Sequence, residues 1–175
     1  MHIRPENNND HQAISVLIQD AFKNEIHSDH REHLLVERLR RSAAFIPELS
    51  LVAELDQQIV GYILLTRIHI ASPLSGAVSS LALAPVAVSP SYQQRGIGSR
   101  LIQYAHDRAR DLDFGSVVVL GHEDYYPRLG YKMAKTYGIS LPFDVPEENC
   151  MVIELQEDAL MGHSGQVIYP KEFME

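Results

Sequence analysis

Between Ala84 and Ile102 the chain changes character abruptly: Ala84-Pro85-Val86-Ala87-Val88-Ser89-Pro90-Ser91-Tyr92-Gln93-Gln94-Arg95-Gly96-Ile97-Gly98-Ser99-Arg100-Leu101-Ile102. An apolar strand runs into a short loop, the loop becomes glycine-rich, and a helix starts at once. Gly96 and Gly98 carry no Cβ, so main-chain N–H groups there can press against a ligand. The helix they open presents unpaired first-turn N–H groups and a partial positive charge. Such a helix start is an anion site suited to phosphate. A P-loop needs Gly-Lys-Ser/Thr at its end, and this run ends Gly96-Ile97-Gly98-Ser99 with no lysine. A dinucleotide fingerprint needs a small third residue where Leu101 stands. What remains is Gln93-x-x-Gly96-x-Gly98 after a strand.

Downstream, Ser116-Val117-Val118-Val119-Leu120 reads as a buried strand. It leads into Gly121-His122-Glu123-Asp124-Tyr125-Tyr126-Pro127-Arg128-Leu129-Gly130-Tyr131. The Gln-x-x-Gly-x-Gly signature resembles the pyrophosphate-binding loop of the GNAT superfamily, the acyl-CoA-dependent N-acetyltransferases. Tyr125-Tyr126-x-x-x-Gly130-Tyr131 resembles the aromatic segment after that family's fifth strand, and Ile3-Arg4-Pro5-Glu6 looks like its first strand. Leu-Gly-His followed by Tyr-Tyr-Pro-Arg is similar to the bacterial YhbS-like branch. The resemblance covers nearly the whole chain and rests on two motifs in the right order and separation.

The resemblance implies an α/β fold with a mixed, splayed central sheet and helices on both faces. It implies acetyl-CoA as cosubstrate. Main-chain groups of Val86, Ala87 and Val88 would face the pantetheine arm, because Pro85 cannot donate to a sheet ladder and marks a bulge or splay. Gln93 and Gln94 would also bind the cofactor, and the N–H groups of Arg95, Gly96, Ile97, Gly98 and Ser99 would cradle the pyrophosphate, with Arg95 or Arg100 adding charge at the rim. Tyr126 would be the general acid, close to the thioester sulfur and able to protonate or hydrogen-bond the departing thiolate. Tyr125 would serve packing.

The general base stays open. The strand Val78–Val88 carries no carboxylate, where many relatives carry a glutamate. Glu54, His122 and Glu123 are candidates by rough placement, and a water relayed through main-chain carbonyls is an equal alternative.

Composition narrows the partners. The chain has 175 residues, 45% of them hydrophobic, which suits one domain over 1–175 with a real core. A formal charge of −8 and the absence of a basic run argue against nucleic acid and anionic membrane. An acidic surface suits a cationic substrate such as an amine. A single cysteine, Cys150, leaves no internal disulfide and no Cys-based metal cluster. There is no membrane-length apolar run, and the start is polar rather than a signal peptide, so a cytoplasmic protein is expected. A homodimer is among the assemblies this reading allows.

Along the chain, Asn7-Asn8-Asn9-Asp10 supplies helix-capping residues. Ile14, Leu17, Ile18, Ala21 and Phe22 then form one apolar stripe of a helix. A second helix carries Leu34, Leu35, Val36 and Leu39, with Glu32, Glu37, Arg38 and Arg40 on a solvated face. Leu49–Leu55 alternates like a half-buried strand, Asp56-Gln57-Gln58 turns, and Ile59–Ile70 is a longer strand. The helix from Gly96 places Ile97, Leu101, Ala105, Ala109 and Leu112 on one face and ends at Gly115. A helical turn at Tyr126–Leu129 ends at Gly130 in the C′ position. Strands follow near Thr136–Leu141 and Met151–Leu155, then a short helix at Ala159-Leu160 and an edge strand at Val167-Ile168-Tyr169.

His27-x-x-His30-x-x-His33 spreads its rings round a helix and does not match a His-x-x-x-His metal site. It reads as a polar loop on the substrate side. No His or acidic partner for Cys150 is suggested by its neighbours, and it reads as packing or a loop thiol. The resemblance implies direct acetyl transfer to a primary amine of a small molecule or peptide, and no metal is expected. The competing reading is an acyl-CoA-binding sensor or scaffold without turnover.

Overall fold

Runs rich in β-branched residues and leucine dominate the middle of the chain. The computed structural model, which describes residues 1–175, folds them into a nine-stranded sheet. The strands are β1 (His2–Pro5), β2 (Ser50–Leu55), β3 (Gln58–Ser72), β4 (Gly76–Val88), β5 (Ser116–Leu120), β6 (Lys132–Met133), β7 (Ile139–Ser140), β8 (Cys150–Glu154) and β9 (Gly165–Ile168). The helices are α1 (His11–Phe22), α2 (Glu32–Arg40) and α3 (Ile97–Asp111), and none is long and apolar enough to cross a membrane.

The hydrogen-bonded order is β1-β2-β3-β4-β5-β8-β6, with β9 pairing both β3 and β7. The β4–β5 and β7–β9 pairs are parallel, while β1–β2, β2–β3 and β5–β8 are antiparallel, so the sheet is mixed. The β4 register with β5 covers Leu81–Leu83 against Val117–Val119. It stops before Pro85, which has no N–H to donate and follows Ala84 through a cis peptide bond.

By packing, the chain divides into two units, Met1–Thr66 with Ala84–Arg108, and Arg67–Leu83 with Ala109–Glu175. In the first, Asn7 caps a short 3-10 turn through a reciprocal capping box with Asp10. The α1 stripe buries Ile14, Leu17 and Ile18. Asp56 (φ 49°) and Gln57 (φ 65°) form the two-residue hairpin between β2 and β3, a turn whose twist matches that of the strands. A Cβ on Gly61 would lie 2.8 Å from Leu101 Cδ1 and 3.1 Å from Ile97 Cγ2, so α3 packs down onto β3 at a residue with no side chain.

Two expectations fail here. Strand β2 is buried from Ser50 to Ala53, not alternately exposed. Arg40 does not face solvent: its Nε and Nη2 donate to Glu6 at 2.9 and 2.7 Å, and both side chains are largely buried. Burying a lone guanidinium is costly, and the bidentate carboxylate offsets that cost. Arg4 is likewise anchored, donating to Asp10 and to Glu54.

In the second unit, Ile68, Ile70, Ala82, Val118, Val152 and Val167 belong to one buried cluster. Ser80 and Ser116, both buried, satisfy each other at 2.7 Å. Helix α3 ends earlier than expected. The C′ residue is Asp113 (φ 63°), and Phe114 N–H returns to Ala109 O at 3.0 Å while Asp113 N–H returns to Arg110 O at 2.9 Å. This is a Schellman closure made without glycine, leaving Gly115 no capping role and Leu112 beyond the helix. The strand expected at Thr136–Leu141 is mostly a 3-10 turn, Ala134–Tyr137, with only Ile139–Ser140 extended. Ala159-Leu160 is a turn rather than a helix, and β9 is flanked on both sides rather than lying at an edge.

Candidate active site

The glycine-rich loop is built from main chain. After β4, Ser89 N–H donates to Val60 O at 2.9 Å, and Pro90–Tyr92 makes one 3-10 turn. The Gln93 amide nitrogen donates to Val88 O at 3.1 Å, folding the loop back on the end of its own strand. Gln94 (φ 61°) and Gly96 (φ 76°) are left-handed, and Ile97 opens the right-handed α3. Reversals of hand between neighbouring residues turn successive N–H groups toward a common concavity, which suits an anion.

Arg100 N–H already bonds to Gly96 O at 3.1 Å. That bond makes Gly96 the residue from which the helix departs, with Ile97, Gly98 and Ser99 as its first turn. A Cβ on Gly96 would meet nothing within 4 Å, so the surface beside it is open. The Arg95 guanidinium lies 5.2 Å from the Tyr92 ring centroid, a cation–π contact at the rim. Of the strand residues assigned to the pantetheine arm, Ala87 is buried while Val86 and Val88 are half-buried.

Tyr126 occupies the opposite kind of environment. It is only 7% exposed and opens the 3-10 turn Tyr126–Leu129, which Gly130 (φ 97°) ends in the left-handed region as expected. Its ring meets Tyr125 edge-on at 5.1 Å and Tyr131 at 5.4 Å. Gly121 completes the enclosure: a Cβ there would fall 2.2 Å from Tyr126 Cε2 and 2.8 Å from Cδ2, so the ring occupies the space a side chain would need. Burial first, and the neighbouring Tyr125 phenol second, push the Tyr126 hydroxyl well above the usual tyrosine range. The phenol therefore stays protonated and available as a donor across physiological pH. The Arg128 guanidinium lies 5.3 Å from the Tyr125 ring centroid, a cation–π contact.

Two of the three base candidates, Glu54 and Glu123, are already engaged through their carboxylates. Glu54 Oε2 accepts from Arg4 Nε at 3.1 Å and Nη2 at 3.0 Å. Glu123 Oε2 accepts from the Asn149 amide at 2.8 Å. His122 is exposed, and its carbonyl accepts from Tyr125 N–H at 3.1 Å and Tyr126 N–H at 3.4 Å. Asn149 itself carried no sequence signal. It reaches Gly121 across 28 residues of chain, and no local pattern encodes such a contact.

Among the histidines, His27 is exposed and His30 Nδ1 lies 2.9 Å from Phe22 O in a left-handed turn. His33 sits on α2 with a buried Nδ1. Cys150 is buried with its thiol directed to Pro146 O at 3.6 Å, and its pKa is raised, chiefly by burial. A raised thiol pKa opposes nucleophilic use.

These features agree with what the chain resembles among known proteins. Residues 13–131 match the model of the acetyltransferase (GNAT) family. An uncharacterized N-acetyltransferase of Escherichia coli K12, YjhQ, is 36% identical over 139 residues, covering 76% of each chain. A second from the same organism, YhbS, is 28% identical over 174 residues, covering 99% of this chain and 98% of its own. The crystal structure of YhbS from E. coli in complex with CoA superposes with a TM-score of 0.88 at 27% identity, covering 99% of this chain and 92% of that one. A GNAT family acetyltransferase from Brucella melitensis, in complex with acetyl-CoA, gives 0.80 at 29% identity over 98% of this chain and 97% of that one. A left-handed main-chain loop opening a helix, a buried tyrosine on the following aromatic segment, and a match running from α1 to Tyr131 lead to one assignment: the chain is an acetyltransferase of the GNAT family.

Proposed function

We propose that the protein, as one GNAT domain over 1–175, transfers an acetyl group directly from acetyl-CoA to a primary amine of a small molecule or peptide. The observation that carries this reading is the loop at the start of α3, where left-handed Gln94 and Gly96 gather main-chain N–H groups beside an open surface. Arg95, Gly96, Ile97, Gly98 and Ser99 hold the pyrophosphate, Gln93 and Gln94 shape the loop, and main-chain groups of Val86, Ala87 and Val88 hold the pantetheine arm. The bound thioester supplies the activated acetyl group. The chain supplies position, which alone can lower such a barrier by about 7–11 kcal/mol.

Tyr126 donates a hydrogen bond to the sulfur as the thiolate forms. Complete proton transfer from a phenol held above its ordinary pKa by burial to an alkyl thiolate, the conjugate base of the stronger acid, is uphill. Its service is therefore chiefly electrostatic. No single side chain is essential as base: Glu54 and Glu123 are tied to Arg4 and Asn149, and water can remove the ammonium proton. The protein works in the cytoplasm, on an acceptor that is neither nucleic acid nor membrane.

The test has two arms. Acetyl-CoA should raise the melting temperature, since a ligand that binds only the folded state stabilises it, while ATP and NAD should do so far less. Equal shifts from all three would overturn the cofactor assignment. A panel of amines is then assayed for CoA release by wild type and Tyr126→Phe. The variant should bind acetyl-CoA normally and turn over roughly ten- to a thousand-fold more slowly. Binding without release for every amine would favour the sensor reading.

A further inference from the structure

Three supports surround the Tyr126 ring: Tyr125, Tyr131 and the bare Cα of Gly121. The two rings lie in the same aromatic segment as Tyr126. Gly121 lies at the end of β5, and what fixes it comes from elsewhere in the chain. Gly121 N–H donates to Asn149 O at 2.9 Å, which extends the β5–β8 ladder one step beyond the Leu120–Cys150 pair. The Asn149 side-chain amide then donates to Gly121 O at 2.9 Å and to Glu123 Oε2 at 2.8 Å. One residue thus satisfies both main-chain polar groups of Gly121 and also pins the loop between Gly121 and Tyr125.

We propose that Asn149 is a positioning residue for Tyr126, acting through Gly121; this rests on the reading of Tyr126 as the hydrogen-bond donor to sulfur. The Asn149 side-chain hydrogen bonds run to Gly121 and Glu123 and not to Tyr126. The Asn149 amide sets the depth of Gly121, and Gly121 limits how far the ring can move. A ring resting on a glycine has no interlocking side chain on that side, so a shift of the glycine passes directly to the hydroxyl. Misplacement of a reacting group by about one ångström can cost up to a hundredfold in rate. The amide contributes its two donors as a pair: aspartate at this position keeps the shape, donates to neither partner, and sets a carboxylate beside Glu123.

The experiment is a double-mutant cycle on the whole chain. Wild type, Asn149→Ala, Asn149→Asp, Tyr126→Phe and the Asn149→Ala/Tyr126→Phe double variant are compared for kcat, for KM of acetyl-CoA and for melting temperature. Amide hydrogen exchange of the peptide spanning 121–131 is followed in parallel, and needs no acceptor. Asn149→Ala and Asn149→Asp should each lower kcat about tenfold with KM unchanged, and exchange should rise in 121–131 while the rest of the chain keeps its protection. In the Tyr126→Phe background Asn149→Ala should cost nothing more, because the hydroxyl it positions is gone. A full tenfold loss in that background would mark a merely structural role and overturn the proposal. Unchanged kcat, or unchanged exchange, in Asn149→Ala would overturn it as well. Unimpaired turnover in Tyr126→Phe alone would instead overturn the reading of Tyr126 and remove the basis of the proposal with it.

Discussion

The loop Gln93–Ser99 and the segment Gly121–Tyr131 both depend on glycine, for opposite reasons. In the loop, Gly96 is exposed and left-handed, and a Cβ there would meet nothing. Its glycine serves backbone conformation and leaves room for something not part of the chain. In the aromatic segment, the room beside Gly121 is already filled by the chain's own tyrosine at 2.2 Å from a Cβ position. On the proposed reading, the groups that bind are main-chain and open, while the group that reacts is a side chain and enclosed. Binding an anion needs N–H groups that the backbone always has, so conformation is enough. Reaction needs one hydroxyl held still in a place poor in water, so packing is required.

This division can be broken by substitution, and Gly98→Val should have the largest effect. At a hundred times Kd, acetyl-CoA contributes about 2.7 kcal/mol of stability. A branched side chain in the first turn of α3 should remove nearly all of that thermal shift while the free protein still folds. Next, Gly121→Ala should leave the acetyl-CoA shift intact and lower kcat by about ten- to a hundredfold, since the ring must move. If Gly121→Ala weakened binding and spared kcat, the two regions would not be divided in this way.

Gly96→Ala is milder. It has space, so its cost is the left-handed conformation, about 1–2 kcal/mol, read by calorimetry as a fall of several degrees in Tm.

The smallest effect concerns alkali. The Tyr126 and Tyr131 pKa values are raised, chiefly by burial. A pKa higher in the folded than the unfolded state gives stability that is complete below the unfolded value, near 10, and declines as pH rises above it. Melting temperature should fall above pH ~10, and less steeply in Tyr126→Phe. An equal slope in both proteins would place the alkaline loss elsewhere.

Much of this was legible because its causes are local. The α1 stripe, the strand at Ser116–Leu120 and the Gly130 stop each follow from spacing or from one residue's conformational range. The Gln93-x-x-Gly96-x-Gly98 signature located the loop, and the Tyr125–Tyr131 segment located the enclosed ring. What escaped depends on partners distant in sequence. Arg40 looked like a surface charge until Glu6, 34 residues away, met it. Asn149 carries no pattern of its own, and only its contact with Gly121, 28 residues away, gives it a place. Strands of two residues, such as β6 and β7, are too short to show a period, and their pairing with β8 and β9 defines them. The α3 terminus misled for another reason: asparagine and aspartate also tolerate the left-handed region, and Asp113 took the place expected of Gly115.

Gln94 sets a task for selection rather than for chemistry. An L-residue with a long side chain is held at φ 61° in an exposed loop, where glycine would sit at no steric cost. Each folded molecule carries that strain whether or not a ligand is present. A library randomised at position 94 and screened only for thermal stability should therefore converge on glycine, with asparagine second. The same library screened for CoA release should keep glutamine if its side chain serves the bound ligand, and should converge on glycine again if it does not. The divergence between the two outcomes, codon by codon, would measure how much stability this position gives up for function.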